Sequence, residues 1–424
     1  MNDLDTSLQA AEARDANDPL AELREAFSIP PKKDGFDCVY LCGNSLGLHS
    51  PLAQQYVEEE MDDWAMLGVE GHMHGRRRWL AYHSHARDGL AALTGSLPGE
   101  VVAMNTLTVN LHLMMTTFYR PEGKRSKIVI ESTAFPSDRF ACVSQLQLHG
   151  KDPATHLLEW SPREEDGPLI LEDLEQLLDS QGEEIALLLL PGIQYYNGQL
   201  LPMAELCELA RRHGCRIGLD LAHAIGNVEL RLHDWAPDFA AWCSYKYLNA
   251  GPGAIGGAFV HEQHLDTSDS KQLLGWWGNA EQTRFKMGTD FEPADGADRW
   301  QLSNTPVFSM APLLASLDMF ERARFEALCD KSRELTGYLQ ALLESELSGR
   351  IGSITPETAR GCQLSLVVLE DSVDGRAVFE ALSAQNVIAD WREPNVIRAA
   401  PVPIYNSYTD VWHFVQRLKA AFGE

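Results

Sequence analysis

Short unbroken apolar runs alternate with stretches of helical periodicity through the middle of the chain. KIVIES (127–132) and EIALLLLPG (184–192) are too short for helices and too uniformly apolar for half-exposed strands, which predicts buried strands. AELCELARRHGC (204–215) spaces its apolar residues at helical intervals, and RIGLDLAHA and DFAAWCSYK then read as two more strands. Strand, helix and strand in this rhythm predict a mostly parallel sheet with helical crossovers. Upstream, the first thirty or so residues read as a polar helix ending at Ile29-Pro30-Pro31. PLAQQYVEEEMDDWAML reads as a further helix with Pro51 at its first position. The last hundred residues change character. The stretch 309–347 reads as one or two long helices, followed by short strands in QLSLVVLE and NVIRAAPVP and a terminal helix, VWHFVQRLKAAFGE. The α/β organisation expected is an N-terminal segment (1–60) packing with a small domain, a large domain (61–310) and a small α+β domain (311–424).

Composition narrows the function classes. The length of 424 residues suits two or three domains, and 45% hydrophobic content supports a sizeable core. A net charge of -26, from 35 Lys plus Arg against 61 Asp plus Glu, repels phosphate backbones and anionic lipids, which argues against nucleic-acid and membrane partners. It leaves room for a small anion in a locally positive pocket. The longest strongly apolar run, Ile185 to Leu190, falls far short of the ~20 residues of a membrane span. The N-terminal stretch lacks the basic and apolar regions of an export signal. The 8 cysteines are sparse and unpaired in spacing, and a cytoplasmic location is expected.

Candidate chemistry concentrates in DLAHAIGN and WCSYKYLNAGPG. Asp220 closes a predicted buried strand, and Lys246 lies in a turn after a second apolar run. A buried carboxylate is costly unless it meets a cation. Pyridoxal 5'-phosphate (PLP) explains both residues at once: its aldehyde condenses with the lysine amine, and its protonated pyridine nitrogen pairs with the carboxylate. Taken singly, Asp220 reads as a helix N-cap and Lys246 as a solvated charge; the pair in this order, with flanking Gly and aromatic residues, reverses that.

From about residue 36 to 410 the chain resembles the kynureninases, PLP enzymes of fold type I. The resemblance is carried by LCGNSLGL (41–48), GHMHGRRRW (71–79), MNTLTVNLH (104–112), FPSD (135–138), DLAHAIGNVEL (220–230) and WCSYKYLNAGPG (242–253). It continues through GWWGN (275–279), TRFKM (283–287), SNTP (303–306) and RAAPVPIYNS (398–407). It implies a large domain with a mostly parallel sheet, a smaller α+β domain, and a homodimer with shared active sites. The implied activity is hydrolysis of the β,γ carbon–carbon bond of L-kynurenine or 3-hydroxy-L-kynurenine. The products are anthranilate or 3-hydroxyanthranilate plus L-alanine, in tryptophan degradation or pyridine nucleotide biosynthesis.

The resemblance also implies roles residue by residue. Lys246 carries PLP as a Schiff base and, once displaced by substrate, moves the α-proton; burial and a neighbouring cation lower a lysine pKa. Asp220 pairs with the pyridine nitrogen, and His223 lies close to the ring. Phe135 stacks on the cofactor face, and Asp138 contacts the cofactor from the same turn. Leu107 and Thr108, at a predicted helix start, grip the phosphate. Tyr245 binds the phosphate and is the candidate general acid. Trp276 and Asn304 reach the cofactor site from the neighbouring subunit. Arg398 holds the substrate α-carboxylate, as a guanidinium fork suits. Ser45, His72, Ser303 and Asn304 also belong to the implied substrate site, and His72 with Ser303 and Asn304 favours the hydroxylated substrate, whose extra hydroxyl they can hydrogen-bond. Pro191 stands where animal-type members have a cofactor-contacting serine, and no role is assigned to it.

Other motifs lose on context. GPGAIG (251–256) matches a dinucleotide-binding fingerprint but runs into GAFVH, a strand where a helix is required. His72, His74, His83 and His85 form two H-x-H pairs without further ligands at metal spacing, so no metal is expected. No Walker A loop is present. The rivals are another PLP lyase of the cysteine desulfurase kind, which needs a catalytic cysteine in a mobile loop, and a PLP-binding sensor, which needs an attached partner domain.

Overall fold

In the computed structural model, which describes residues 5–265 and 271–423, the chain forms three sheets. The first few residues of the N-terminal segment and the last residue of the terminal helix lie outside the described residues. The N-terminal strand β1 (Val39–Tyr40) belongs to a two-stranded sheet completed from the far end of the chain. The large sheet contains β2 (Val101–Ala103), β3 (Lys127–Glu131), β4 (Leu157–Trp160), β5 (Ile185–Pro191), β6 (Arg216–Asp220), β7 (Phe239–Trp242) and β8 (Gly257–Val260). Its order is β2-β8-β7-β6-β5-β3-β4, and only β8 runs against its neighbours.

Alternation explains why these strands read as continuous apolar runs. Val129, Leu188, Leu190 and Leu219 enter one core, while Ile128, Ile130, Leu187 and Leu189 enter the other. Helices cover both faces, Leu107–Phe118 and Pro136–Leu148 on one side and Met203–Arg212 and Val307–Ala323 on the other. A sheet buried on both sides has no face left for polar residues. Each fully buried leucine contributes about 2 kcal/mol. β6 needs its glycine: a Cβ on Gly218 would lie 2.0 Å from the Phe239 ring on β7.

The C-terminal sheet is antiparallel. β9 (Ile351–Ser353) and β10 (Leu364–Val368) are followed by β11 (Val387–Ile388), which pairs in parallel with β1. β12 (Asp390–Arg392) and β13 (Val396–Ala399) then complete the order β12-β13-β10-β9. Its core is shared with the helices Phe325–Glu346, Gly375–Ala384 and Tyr408–Ala421. The N-terminal helix Leu8–Ala16 packs there too, where Asp15 caps the last helix by accepting from the backbone N–H groups of Tyr408 (2.7 Å) and Thr409 (3.0 Å). The helix Pro51–Leu67 instead lies against Val307–Ala323, with the Tyr56 hydroxyl donating to Asp318.

One helix reading differs from expectation, and one is decided between its two alternatives. The N-terminal helix stops at Ala16 and only a short 3-10 turn, Ala21–Ala26, follows. Pro19 has no N–H to give and disfavours helical backbone at Asp18. The long stretch 309–347 divides at Arg324, whose φ of 59° ends one helix and starts the next.

Candidate active site

The carboxyl ends of β3, β5, β6 and β7 meet along one edge of the large sheet, the usual place for a ligand in an open α/β fold. There they border a cavity of about 150 Å³. Thr106, Leu107 and Thr108 at the start of the helix Leu107–Phe118 line it together with Phe135, Asp138, Asp220, His223, Tyr245 and Lys246. Eight residues singled out in the sequence thus share one cavity wall.

Lys246 and His223 face each other, with 3.0 Å between Nζ and Nε2. Burial, reinforced by the charges of Lys246, Arg398 and Arg392, drives the His223 pKa well down, so the ring is neutral. Its Nδ1 is buried without a partner. Across the cavity Asp220 closes β6 and accepts from the Ala222 N–H at 2.7 Å. Asp138 lies against it. Burial raises both carboxyls, and the charge of Asp220 lifts Asp138 further, so the pair holds a proton between them. One Asp138 oxygen has no partner.

The remaining walls suit a flat, anionic ligand. Thr106 makes no side-chain cap, so the start of the helix Leu107–Phe118, whose first residues line the cavity, keeps first-turn N–H groups without a side-chain acceptor. The Phe135 ring is 42% exposed and stands edge-on to Tyr195 at 5.2 Å, with Lys246 Nζ 6.0 Å from its centre. Tyr245 also lies 6.0 Å from Lys246 Nζ. Burial, with Cys243 adjacent, raises its phenol, which keeps its proton and serves as a donor.

Arg398 and Ser45 form a second cluster on the small-domain side. Arg398 is 1% exposed; it donates to the Tyr195 carbonyl at 2.8 Å, to Ser45 Oγ at 3.2 Å and to Asp390. Tyr195 lines the cavity, so this cluster abuts it. His72, Trp276, Ser303 and Asn304 do not line the cavity within one chain. His72 stands edge-on to Trp79 at 5.4 Å, and its buried Nδ1 has no partner. Trp276 is 50% exposed and packs on Phe285 at 5.4 Å; Ser303 and Asn304 are exposed.

The sequence reading missed Glu131, Tyr195, Asp390 and Arg392. Glu131 closes β3 as Asp220 closes β6, an acid at the end of an apolar run, and the same signal could have found it. Asp390 and Arg392 announce themselves only through strand pairing. The four candidate metal histidines separate: His72 goes to Trp79, His74 to Glu70, His83 to Asp298 and His85 to Tyr82. Glu100, His233 and His261 do approach one another, but the Glu100 oxygens accept from Leu97, Glu262 and His233, and His261 caps Gln263.

A family model described as the kynureninase C-terminal domain matches residues 328–418. A protein named kynureninase from Xanthomonas oryzae pv. oryzae is 52% identical over 412 residues, 97% of each chain. Another, from Stenotrophomonas maltophilia, is 52% identical over 425 residues, covering 100% of both. Among solved structures, a cysteine desulfurase from Escherichia coli superimposes with a TM-score of 0.76 at 16% identity, covering 95% of this chain and 98% of its own. One from Thermococcus onnurineus gives 0.75 at 17%, with 95% and 98% covered. These place the architecture in fold type I, which hosts many chemistries. Identity above one half along nearly the whole length is far narrower, and by it the chain belongs to the kynureninase family.

Proposed function

We propose that this protein is a PLP-dependent hydrolase that cleaves the β,γ carbon–carbon bond of L-kynurenine, and with preference that of 3-hydroxy-L-kynurenine, releasing L-alanine and the aromatic acid. The observation that carries the reading is the single cavity that sets Lys246 and neutral His223 against the Asp138–Asp220 pair, in a chain of this family. The cavity fits PLP by its donors: an amine, an acid pair able to hold one proton, an uncapped helix start, and two buried polar atoms, His223 Nδ1 and Asp138 Oδ1, that lack partners. Lys246 would hold the aldehyde carbon, Asp220 the pyridine nitrogen, Leu107 and Thr108 the phosphate, and Phe135 one ring face. When bound, PLP supplies an electron sink for charge developing at the substrate's α- and β-carbons.

The protein's own groups move the protons. Lys246 Nζ takes the α-proton, and His223, being neutral, adds no positive charge beside it. The Asp138–Asp220 pair keeps a proton at the far end of the cavity, where electron withdrawal needs it. Water adds to the γ-carbonyl and becomes an oxygen of the released acid; as the Cβ–Cγ bond of that tetrahedral centre breaks, the Tyr245 hydroxyl, held protonated, donates its proton to the β-carbon. Arg398, tied to Tyr195, orients the substrate by its carboxylate.

A second copy of the chain completes the site. Met61, Trp64, Met66, Val69 and Met73 are exposed on the helix Pro51–Leu67 and the turns after it, and Phe308 lies 6.0 Å from Trp64. Trp276, Phe285 and Met287 add more exposed apolar surface. Patches of this kind mark association surfaces. They carry or adjoin His72, Trp276, Ser303 and Asn304, the predicted site residues missing from the chain's own cavity. The partnerless His72 Nδ1 supports preference for the hydroxylated substrate. The location is cytoplasmic in this reading; no described helix is long and apolar enough to cross a membrane. A desulfurase, which the fold alone permits, needs an accessible thiolate. Cys42 is half-buried, its thiol pushed up to about 11 by burial and Asp390, and the other cysteines are buried. The test is turnover of both substrates by the purified protein, scoring alanine and aromatic acid together; absence of either product on both substrates refutes the reading.

A further inference from the structure

The Arg398 cluster holds more positive charge than one residue supplies. Asp390 on β12 sits directly opposite Arg398 on β13, so the two side chains form a fixed cross-strand pair. The same Asp390 oxygen, Oδ2, also accepts from Arg392 Nη2 at 3.1 Å and from the Ser45 hydroxyl. Two guanidinium groups therefore converge on one carboxylate oxygen. Among the described residues no other carboxylate bonds either arginine, and one positive charge is left over in a largely buried place. Both Nε–H donors, on Arg392 and on Arg398, are buried without an acceptor. Unused buried donors on charged groups are costly unless something arrives to accept from them. Both guanidiniums are also near enough to the cavity for their charges to act on His223 and Tyr195.

We infer that Arg392 is a second substrate-binding guanidinium, which together with Arg398 receives the α-carboxylate of the amino-acid substrate while Asp390 serves as the counter-ion that holds both. This rests on the reading of Arg398 as the carboxylate holder. The charges then balance, two arginines against Asp390 and one substrate carboxylate, and the leftover donors are satisfied. Arg392 is the outer of the two: its side chain is 36% exposed against 1% for Arg398, and β12 is an edge strand. An incoming anion meets it first.

The experiment is steady-state kinetics of the PLP-loaded enzyme with L-kynurenine for wild type, Arg392→Met and Arg392→Lys, with the carboxamide of kynurenine as a competitive inhibitor. A charged hydrogen bond lost from a bound carboxylate should raise KM about tenfold for Arg392→Met. Its kcat should stay within about twofold, because no reacting atom is touched. Arg392→Lys, which keeps the charge and loses the fork, should fall between. The carboxamide, having no charge to recognise, should bind wild type and Arg392→Met alike. A KM for Arg392→Met within about twofold of wild type overturns the inference, as does equal weakening of substrate and carboxamide, which reports general damage. An edge position and a side chain that is partly open to solvent make Arg392→Met tolerable to the fold, and Arg392→Gln gives a second neutral probe. Failure of the underlying reading looks different: Arg398→Lys would then retain a wild-type KM.

Discussion

Glu131→Gln should stabilise the cofactor-free protein at alkaline pH and leave it almost unchanged at acid pH. Glu131 closes β3 at 3% exposure and faces the cavity that Asp138 and Asp220 also line. Burial, with a smaller push from the charge of Asp220, lifts its carboxyl from the ordinary 4.5 to about 8, its own backbone N–H opposing. The folded-state value is raised, so the group's contribution is fully present below the unfolded pKa and is lost as pH rises toward 8. Within that window unfolding releases a proton, and each pH unit lowers stability by about 1.4 kcal/mol. Between about pH 5.5 and about pH 8.5 the wild type should lose about 3 kcal/mol through this residue, and the glutamine variant none. Asp138 and Asp220 add slopes of the same sign in both proteins; the Glu131 charge also raises Asp138, so the variant loses that smaller part as well and the difference keeps its sign. The assay is urea unfolding of both cofactor-free proteins at the two pH values, followed by tryptophan fluorescence. A variant-minus-wild-type difference equal at the two pH values would show that Glu131 ionises in place at little cost. The burial argument would then be wrong.

Three other changes probe the site and its support. Lys246→Ala should abolish both the yellow absorbance of the lysine Schiff base and turnover; a variant that retained a turnover-competent cofactor would refute the assignment of the lysine. His72→Trp removes a hydrogen-bonding ring and should lower kcat/KM for the hydroxylated substrate more than for the plain one, and equal losses would remove the specificity argument. Gly218→Ala drives a methyl group into the Phe239 ring, 2.0 Å away, and overpacking of this kind costs about 1–3 kcal/mol. It should lower Tm by several degrees and weaken cofactor retention, since Asp220 lies two residues on; an unchanged Tm would show that β6 and β7 can part freely.

The strands β3, β5, β6 and β7 were legible because a sheet covered on both faces imposes unbroken apolar runs, which a single sequence displays. Asp220 and Lys246 were legible for the complementary reason: a charge next to such a run demands a partner. The reversed direction of β8 and the strand order were not legible, because periodicity reports that a residue is buried and not what buries it. Glu131 carried the same signal as Asp220, yet only the packing of β3 beside β5 and β6 brought it to the same cavity. Ser45, Asp390, Arg392 and Arg398 show the limit most clearly. Asp390 and Arg392 are inconspicuous in their own segment, and the convergence of all four depends on β1 pairing with β11 and on the register of β12 against β13. Local composition determined which strands are buried and which charges beside them needed a partner. Tertiary packing alone decided which polar groups share that space, since contacts between distant segments leave no period in the chain.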